Sequence, residues 1–197
     1  AASPAAAQAP LIDGLGGPLG YGTDCLGPND DGSSSAVDLT TAFPSGLAFF
    51  GSTFRLLYVN TNGNITFAGP LAAYRSAAFP VSDRPMVAPY WADVDIRTPE
   101  VCNGTELPSP ETCHSPTSGG VWWSVEPGRI VVPWHLVGYY DCHTDQRMSF
   151  QLLFSTPPSC AADDEIDVEF RYELCGWATG DRSMGVGGLG GIEAQVG

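Results

Sequence analysis

Apolar and charged side chains alternate strictly from Glu165 to Leu174, apolar on even numbers and charged on odd ones. That period of two predicts a strand with one dry and one wet face, with Glu165, Asp167 and Glu169 toward solvent. In Phe54–Phe67 the dipeptide Asn62-Gly63 is a strong hairpin signal, because a two-residue type I′ turn needs positive φ at both positions. Such a turn pairs Thr61 with Asn64 and Tyr58 with Phe67, and places Leu56, Tyr58, Ile65 and Phe67 together on a core face. Val121–Glu126 and Arg129–Trp134 flank Pro127-Gly128, which suits a type II turn and a second hairpin, and Met148–Ser155 supplies a further strand. No segment of useful length carries a helical apolar period free of Pro or Gly. The pattern predicts an all-β chain, an antiparallel β-sandwich with long disulfide-bearing loops.

Residues 1–18, alanine-rich at the start, read as a leader or linker; 19–197 read as one β-sandwich domain and as a fragment of a longer protein. Thr98–Gly120 is a Pro/Ser/Thr/Gly-rich insertion between strands. The chain has six cysteines and no C-x-x-C pair, which predicts disulfides and an oxidising compartment rather than a zinc ribbon or a redox site. Sequence position favours Cys102 with Cys113 as a local pair, Cys160 with Cys175 across two neighbouring strands, and Cys25 with Cys142 as the remainder. All eight basic residues are arginine and the formal charge is -14. An acidic, lysine-free surface offers neither a phosphate footprint nor attraction to anionic lipid, which excludes nucleic acid and direct membrane insertion as partners.

Asp93-Val94-Asp95 puts two carboxylates on one side of an extended segment, with Arg97 on the same face. The plainer reading is a carboxylate–arginine cluster or turn caps; the alternative is calcium held by Asp93 and Asp95. No other cofactor is implied. Asn29-Asp30-Asp31-Gly32 is dense in oxygen donors but lacks the spacing of an EF-hand, and reads as an Asx-type turn. His114 and His143 each adjoin a cysteine whose oxidation would remove a nucleophile or ligand, and His135, after Trp134 in a strand, reads as a packed or rim residue. Glu126 and Glu169 are the acid pair a hydrolase would need to gather in one cleft. In Trp122-Trp123 and Tyr139-Tyr140, one member of each pair should be core and the other exposed or covered. Of the two glycosylation-type triplets, only Asn103-Gly104-Thr105 lies in an exposed loop, Asn64-Ile65-Thr66 being in the hairpin.

Five ordered elements are similar to the nidogen-like (NIDO) extracellular domain: Phe49–Phe50–Gly51, Tyr58–Phe67 (YVNTNGNITF), Pro85–Arg97 (PMVAPYWADVDIR), Trp134–Tyr140 and Phe150–Leu153. The resemblance implies a secreted or cell-surface, non-catalytic module for adhesion or scaffolding, acting through other extracellular or surface proteins or neighbouring domains. A carbohydrate-binding module using an exposed Trp or Tyr is the alternative, and a secreted hydrolase is a third reading. The family implies no catalytic residues for this chain, and it implies a C-terminal segment that continues as a buried strand.

Overall fold

The structure, a computed structural model, describes residues 9–81, 83–104, 113, 119–157 and 165–197. In chain order the strands are β1 (Asp24–Cys25), β2 (Val37–Asp38), β3 (Leu47–Phe49), β4 (Ser52–Phe54), β5 (Leu56–Asn60), β6 (Asn64–Thr66), β7 (Met86–Val87) and β8 (Val94–Asp95), followed by β9 (Gly120–Glu126), β10 (Arg129–Tyr139), β11 (His143–Ser155) and β12 (Asp167–Cys175). Among the described residues the helical elements are one turn, α1 (Pro99–Cys102), and a 3₁₀ turn, Asp181–Ser183. The large sheet runs β1-β9-β10-β11-β12 with β8 added against β10; the small sheet runs β2-β5-β6-β7, and β3 and β4 form a two-stranded sheet. All recorded pairings are antiparallel.

The core lies between the two sheets. Leu57, Val59 and Ile65 of the small sheet meet Ile130, Val132, Trp134, Phe150, Leu152 and Phe154 of the large one. Trp134 stacks on Phe150 at 5.1 Å between ring centroids, and its Nε1 donates to the carbonyls of Asn60 and Thr61. The tip of the β5–β6 hairpin is thereby bonded to the opposite sheet. Pro127-Gly128 closes the β9–β10 hairpin as expected, with Gly128 at φ 74° and Arg129 opposite Glu126.

Four expectations need correction. The β5–β6 register is one residue away from the predicted one: Tyr58 faces Thr66, Val59 faces Ile65 and Asn60 faces Asn64. The loop holds three residues rather than two, with Gly63 in the left-handed region at φ 71°. The slip of one residue exchanges the faces of β5, so Leu57 and Val59 are fully buried while Leu56 is 43% exposed and Tyr58 is half-buried; Ile65 and Phe67 are buried as expected. Second, the cysteines pair as Cys25–Cys113 and Cys102–Cys142, in place of Cys102–Cys113 and Cys25–Cys142. β8 pairs with the end of β10, which carries the following α1 and its Cys102 to Cys142 in the β10–β11 turn. The expected Cys160–Cys175 pair involves Cys160, which lies outside the described residues. Third, residues 9–18 dock on the domain: Leu15 is buried against Val131 and Leu153, and Gln151 exchanges two hydrogen bonds with the Ile12 backbone. Fourth, β12 is the end strand of its sheet, so its alternation is only half realised. Phe170 and Tyr172 pack on the core, but Val168 and Leu174 remain 47% and 41% exposed.

Candidate functional site

The hairpin tip, Asn60-Thr61-Asn62-Gly63-Asn64, is polar in sequence yet fully buried, so each of its side chains must find partners inside the protein. Asn60 donates to Asn64 Oδ1 and Thr66 Oγ1, and accepts from Ser33 Oγ and the Leu71 N–H. Thr61 Oγ1 donates to Asn29 Oδ1. Asn62 accepts from the Val94 N–H at 2.9 Å and donates to Asp31 Oδ1 at 2.8 Å. Gly63 admits no side chain, since a Cβ there would lie 1.8 Å from the Tyr90 carbonyl oxygen. The tip therefore holds the 29–32 loop on one side and the segment 90–95 on the other. The signal in the sequence for this role is the run of Asn and Thr side chains between apolar flanks, where a plain turn would need only Asn62-Gly63.

In the 29–32 loop, the Gly32 N–H donates to Asn29 Oδ1 at 2.7 Å, three residues on rather than the two of the expected Asx turn, so the side chain closes a loop one residue longer. It delivers Asp30 and Asp31 to Asp93, and the three carboxylates each offer an oxygen within 4.8 Å of the others. Asp93 is 2% exposed, and among the described residues neither its Oδ2 nor Asp30 Oδ1 finds a hydrogen-bond donor. Burial, with the neighbouring Asp31 and Asp95, pushes the Asp93 carboxyl up to about 7 against the pull of Arg182 and Arg75. Burial and Asp95 push Asp30 likewise up to about 7.

Asp95 has a different fate. It is 2% exposed, and accepts from Arg97 Nε and Nη2, from the Arg97 N–H and from the Cys142 N–H. Its hydrogen bond raises the Arg97 guanidinium further above its ordinary range. The same guanidinium reaches Asp30 Oδ2 at 3.2 Å and the exposed Asp141 at 3.8 Å. The sequence placed Asp93 and Asp95 on one face; the structure divides them between two clusters.

The remaining candidates are scattered. His143 lies between Asp145 and Asp181 at 3.5 and 3.6 Å, and its neighbour Cys142 is bonded to Cys102. His135 is half-buried against the Tyr21 ring, and burial lowers its pKa; His114 lies outside the described residues. Glu126 pairs with Arg129 and Glu169 with Arg171. Asn103 is exposed, whereas Asn64 is fully buried. Both Trp122 and Trp123 are buried, Trp122 beneath the Tyr21 ring at 6.3 Å, so the tryptophan pair offers no open platform.

Exposed apolar surface gathers elsewhere. A groove of about 740 Å³ opens between β7 and β12, the end strands of the two sheets, and is lined by Phe49, Phe50, Phe79, Met86, Val168 and Phe170 among others. At its rim the β3–β4 turn puts Phe50 at φ 45° and Gly51 at φ 77°. Positive φ at both central positions belongs to a type I′ turn, which favours Asn, Asp or Gly over a bulky aromatic. Phe49 and Phe54 anchor the hairpin on Phe67, while Phe50 stands 93% exposed.

No helix among the described residues is long and apolar enough to cross a membrane. Over 183 residues the chain is 30% identical to alpha-tectorin of Gallus gallus and to that of Homo sapiens, a match covering 85% of this chain and 8% of each relative. It is 28% identical to nidogen of Drosophila melanogaster over 179 residues, covering 84% of this chain and 12% of that protein. The chain thus spans only a small part of the length of these relatives. No solved structure matches it. The family model of the nidogen-like domain matches residues 55–197, so the chain belongs to the nidogen-like domain family and is an extracellular domain.

Proposed function

We propose that this domain is a non-catalytic adhesion or scaffolding module that grips an extended, apolar segment of another extracellular protein in the groove between β7 and β12. The observation that carries this reading is Phe50. A bulky aromatic held at positive φ and 93% exposed costs conformational energy and buries little of its own surface. Such strain fits a residue that is completed by a partner, and exposed aromatics beside a groove are common interface anchors. β12 ends its sheet, and its outer edge suits strand addition by a peptide, while on the β7 side the backbone of Ala88 is already bonded to Gly197. The formal charge of -14 favours a segment with basic flanks.

Family membership supports the same reading, since the chain matches part of alpha-tectorin and part of nidogen. The carbohydrate alternative loses its best support with the burial of Trp122 and Trp123. Selection of random peptides on the immobilised chain, paired with a glycan array, separates the two readings. The expected result is enrichment of apolar segments with Arg or Lys flanks, with binding lost in Phe50→Ser and in Val168→Asp. Glycan binding without peptide binding overturns it, as does dimerisation in solution that Phe50→Ser abolishes.

A further inference from the structure

We infer that Asp30, Asp31 and Asp93 form a calcium site that ties the 29–32 loop to the segment 91–97, independently of the groove. Three carboxylates meeting within 4.8 Å would by themselves be an ordinary acidic cluster. Two unpartnered oxygens point further. Asp93 Oδ2 and Asp30 Oδ1 are buried and accept no hydrogen bond from the described residues, and Asp93 as a whole is 2% exposed. A buried carboxylate oxygen with no donor is costly unless a cation or proton meets it. The arginine bonded to Asp30 does not meet this need. Arg97 is committed to both oxygens of Asp95 and touches Asp30 only through Oδ2, leaving Oδ1 bare.

The surroundings hold the three groups in place. Asn62 Nδ2 fixes Asp31 Oδ1 at 2.8 Å, and the Asn29 turn fixes the loop that bears Asp30. On the other side Gly180 packs against Asp93 so closely that a Cβ there would lie 2.2 Å from the Asp93 Cβ. The donor set is oxygen alone, which suits a hard cation and excludes ions that need nitrogen or sulfur. Calcium takes 6–8 oxygens at about 2.3–2.6 Å in irregular geometry, whereas magnesium demands a near-ideal octahedron at about 2.0–2.1 Å, so carboxylates from two separate segments suit calcium better. The neighbouring group of Asp95, Asp141, Cys102 and Cys142 does not compete, because its cysteines are bonded to each other and Asp95 is saturated.

Titration calorimetry of the chelator-stripped chain with calcium chloride, and separately with magnesium chloride, tests the assignment, with melting temperature as a second readout. The expected result is one calcium site with a dissociation constant of about 10⁻⁴–10⁻³ M, in the range of extracellular modules. Magnesium should bind more weakly. Asp31 is exposed, so Asp31→Asn should fold normally, keep the acceptor that Asn62 uses, and weaken calcium by about tenfold or more, as loss of a charged ligand does. Asp141→Asn should bind as the parent chain does. The inference is overturned if the parent chain shows neither heat nor a melting shift up to about 10 mM calcium, a range that covers extracellular sites. It is equally overturned if Asp31→Asn binds unchanged, or if Asp141→Asn loses binding to the same degree; a shared proton would then be what satisfies the bare oxygens.

Discussion

Asp93 and Asp95 are two residues apart, equally buried at 2% exposure, and chemically identical, yet one is saturated with donors and the other is not. Asp95 collects a bidentate arginine and two backbone N–H groups, and so fastens β8 to the β10–β11 turn beside the Cys102–Cys142 bond. Asp93 faces two further carboxylates, with its nearest countercharges, Arg75 and Arg182, acting only from a distance. Equal burial therefore does not imply equal energetic sign. A buried charge stabilises when its donors are supplied by the fold and destabilises when they must come from elsewhere.

The largest expected effect tests the saturated side. Asp95→Ala leaves the Arg97 guanidinium and the Cys142 N–H without their main acceptor, and breaking a buried pair in this way costs about 3–5 kcal/mol. Chemical denaturation should show that loss, with a guanidinium partner only half recovered through Asp30 and Asp141. A cost below that of an ordinary surface substitution would break the comparison at its stronger end.

On the unsaturated side Gly180 sets the tolerance. Its Cβ would collide with the Asp93 side chain at 2.2 Å for Cβ and 2.6 Å for Oδ2. Gly180→Ala should cost about 1–3 kcal/mol by overpacking, and it should disturb Asp93 without touching Asp95. Melting curves in calcium and in chelator should differ less in this variant than in the parent chain, because the displaced Asp93 serves the ion poorly.

Protonation gives a smaller effect with a definite sign. Asp30 and Asp93 titrate at about 7 in the folded chain against 3.8 for the free carboxyl, so between about pH 4 and 7 the folded state holds protons that the unfolded state has lost. In chelator, stability should therefore fall as pH rises through that window and level off above it. His135 opposes the trend, because burial lowers its pKa and favours the neutral form as pH rises. Subtracting the profile of Asp93→Asn isolates the carboxylates, whose other charged neighbours are Asp31, Asp95, Arg75, Arg97 and Arg182. Coincident profiles for the two proteins would mean that Asp93 carries no strain, and saturating calcium should flatten the parent profile.

Alternation and turn chemistry made much of this fold legible before the structure. Pro127-Gly128 gave the right register because two fixed residues dictate one turn. Asn62-Gly63 misled by one residue, since the side chains of Asn60, Thr61, Asn62 and Asn64 are bound by partners 2 to 32 positions away, and those bonds fix a three-residue loop. The disulfides were illegible for a related reason: their sequence separations of 88 and 40 reflect sheet pairing rather than local spacing. Periodicity correctly put Arg97 beside Asp95, but it could not show that Asp30 and Asp31 would arrive at Asp93, because a loop reaches its neighbours through tertiary contacts that no local pattern encodes. Phe50 was visible only as part of a motif. Its positive φ emerges once β3 and β4 are paired across a two-residue turn.

The smallest expected effect marks where the comparison stops applying. Asp141 also approaches Arg97, at 3.8 Å, but its side chain is 67% exposed and shares the guanidinium with Asp95 and Asp30. Water already solvates that carboxylate, and an exposed pair of this kind is worth about 0–1 kcal/mol. Asp141→Asn should therefore change stability by no more than about 0.5 kcal/mol, with or without calcium, in the same denaturation assay that reads Asp95→Ala. If instead Asp141→Asn costs as much as Asp95→Ala, the arginine would be acting through the sum of its acidic neighbours, and burial would no longer explain why Asp93 and Asp95 behave differently. A negligible cost leaves burial and donor count as the two variables that separate the saturated carboxylate from the bare one.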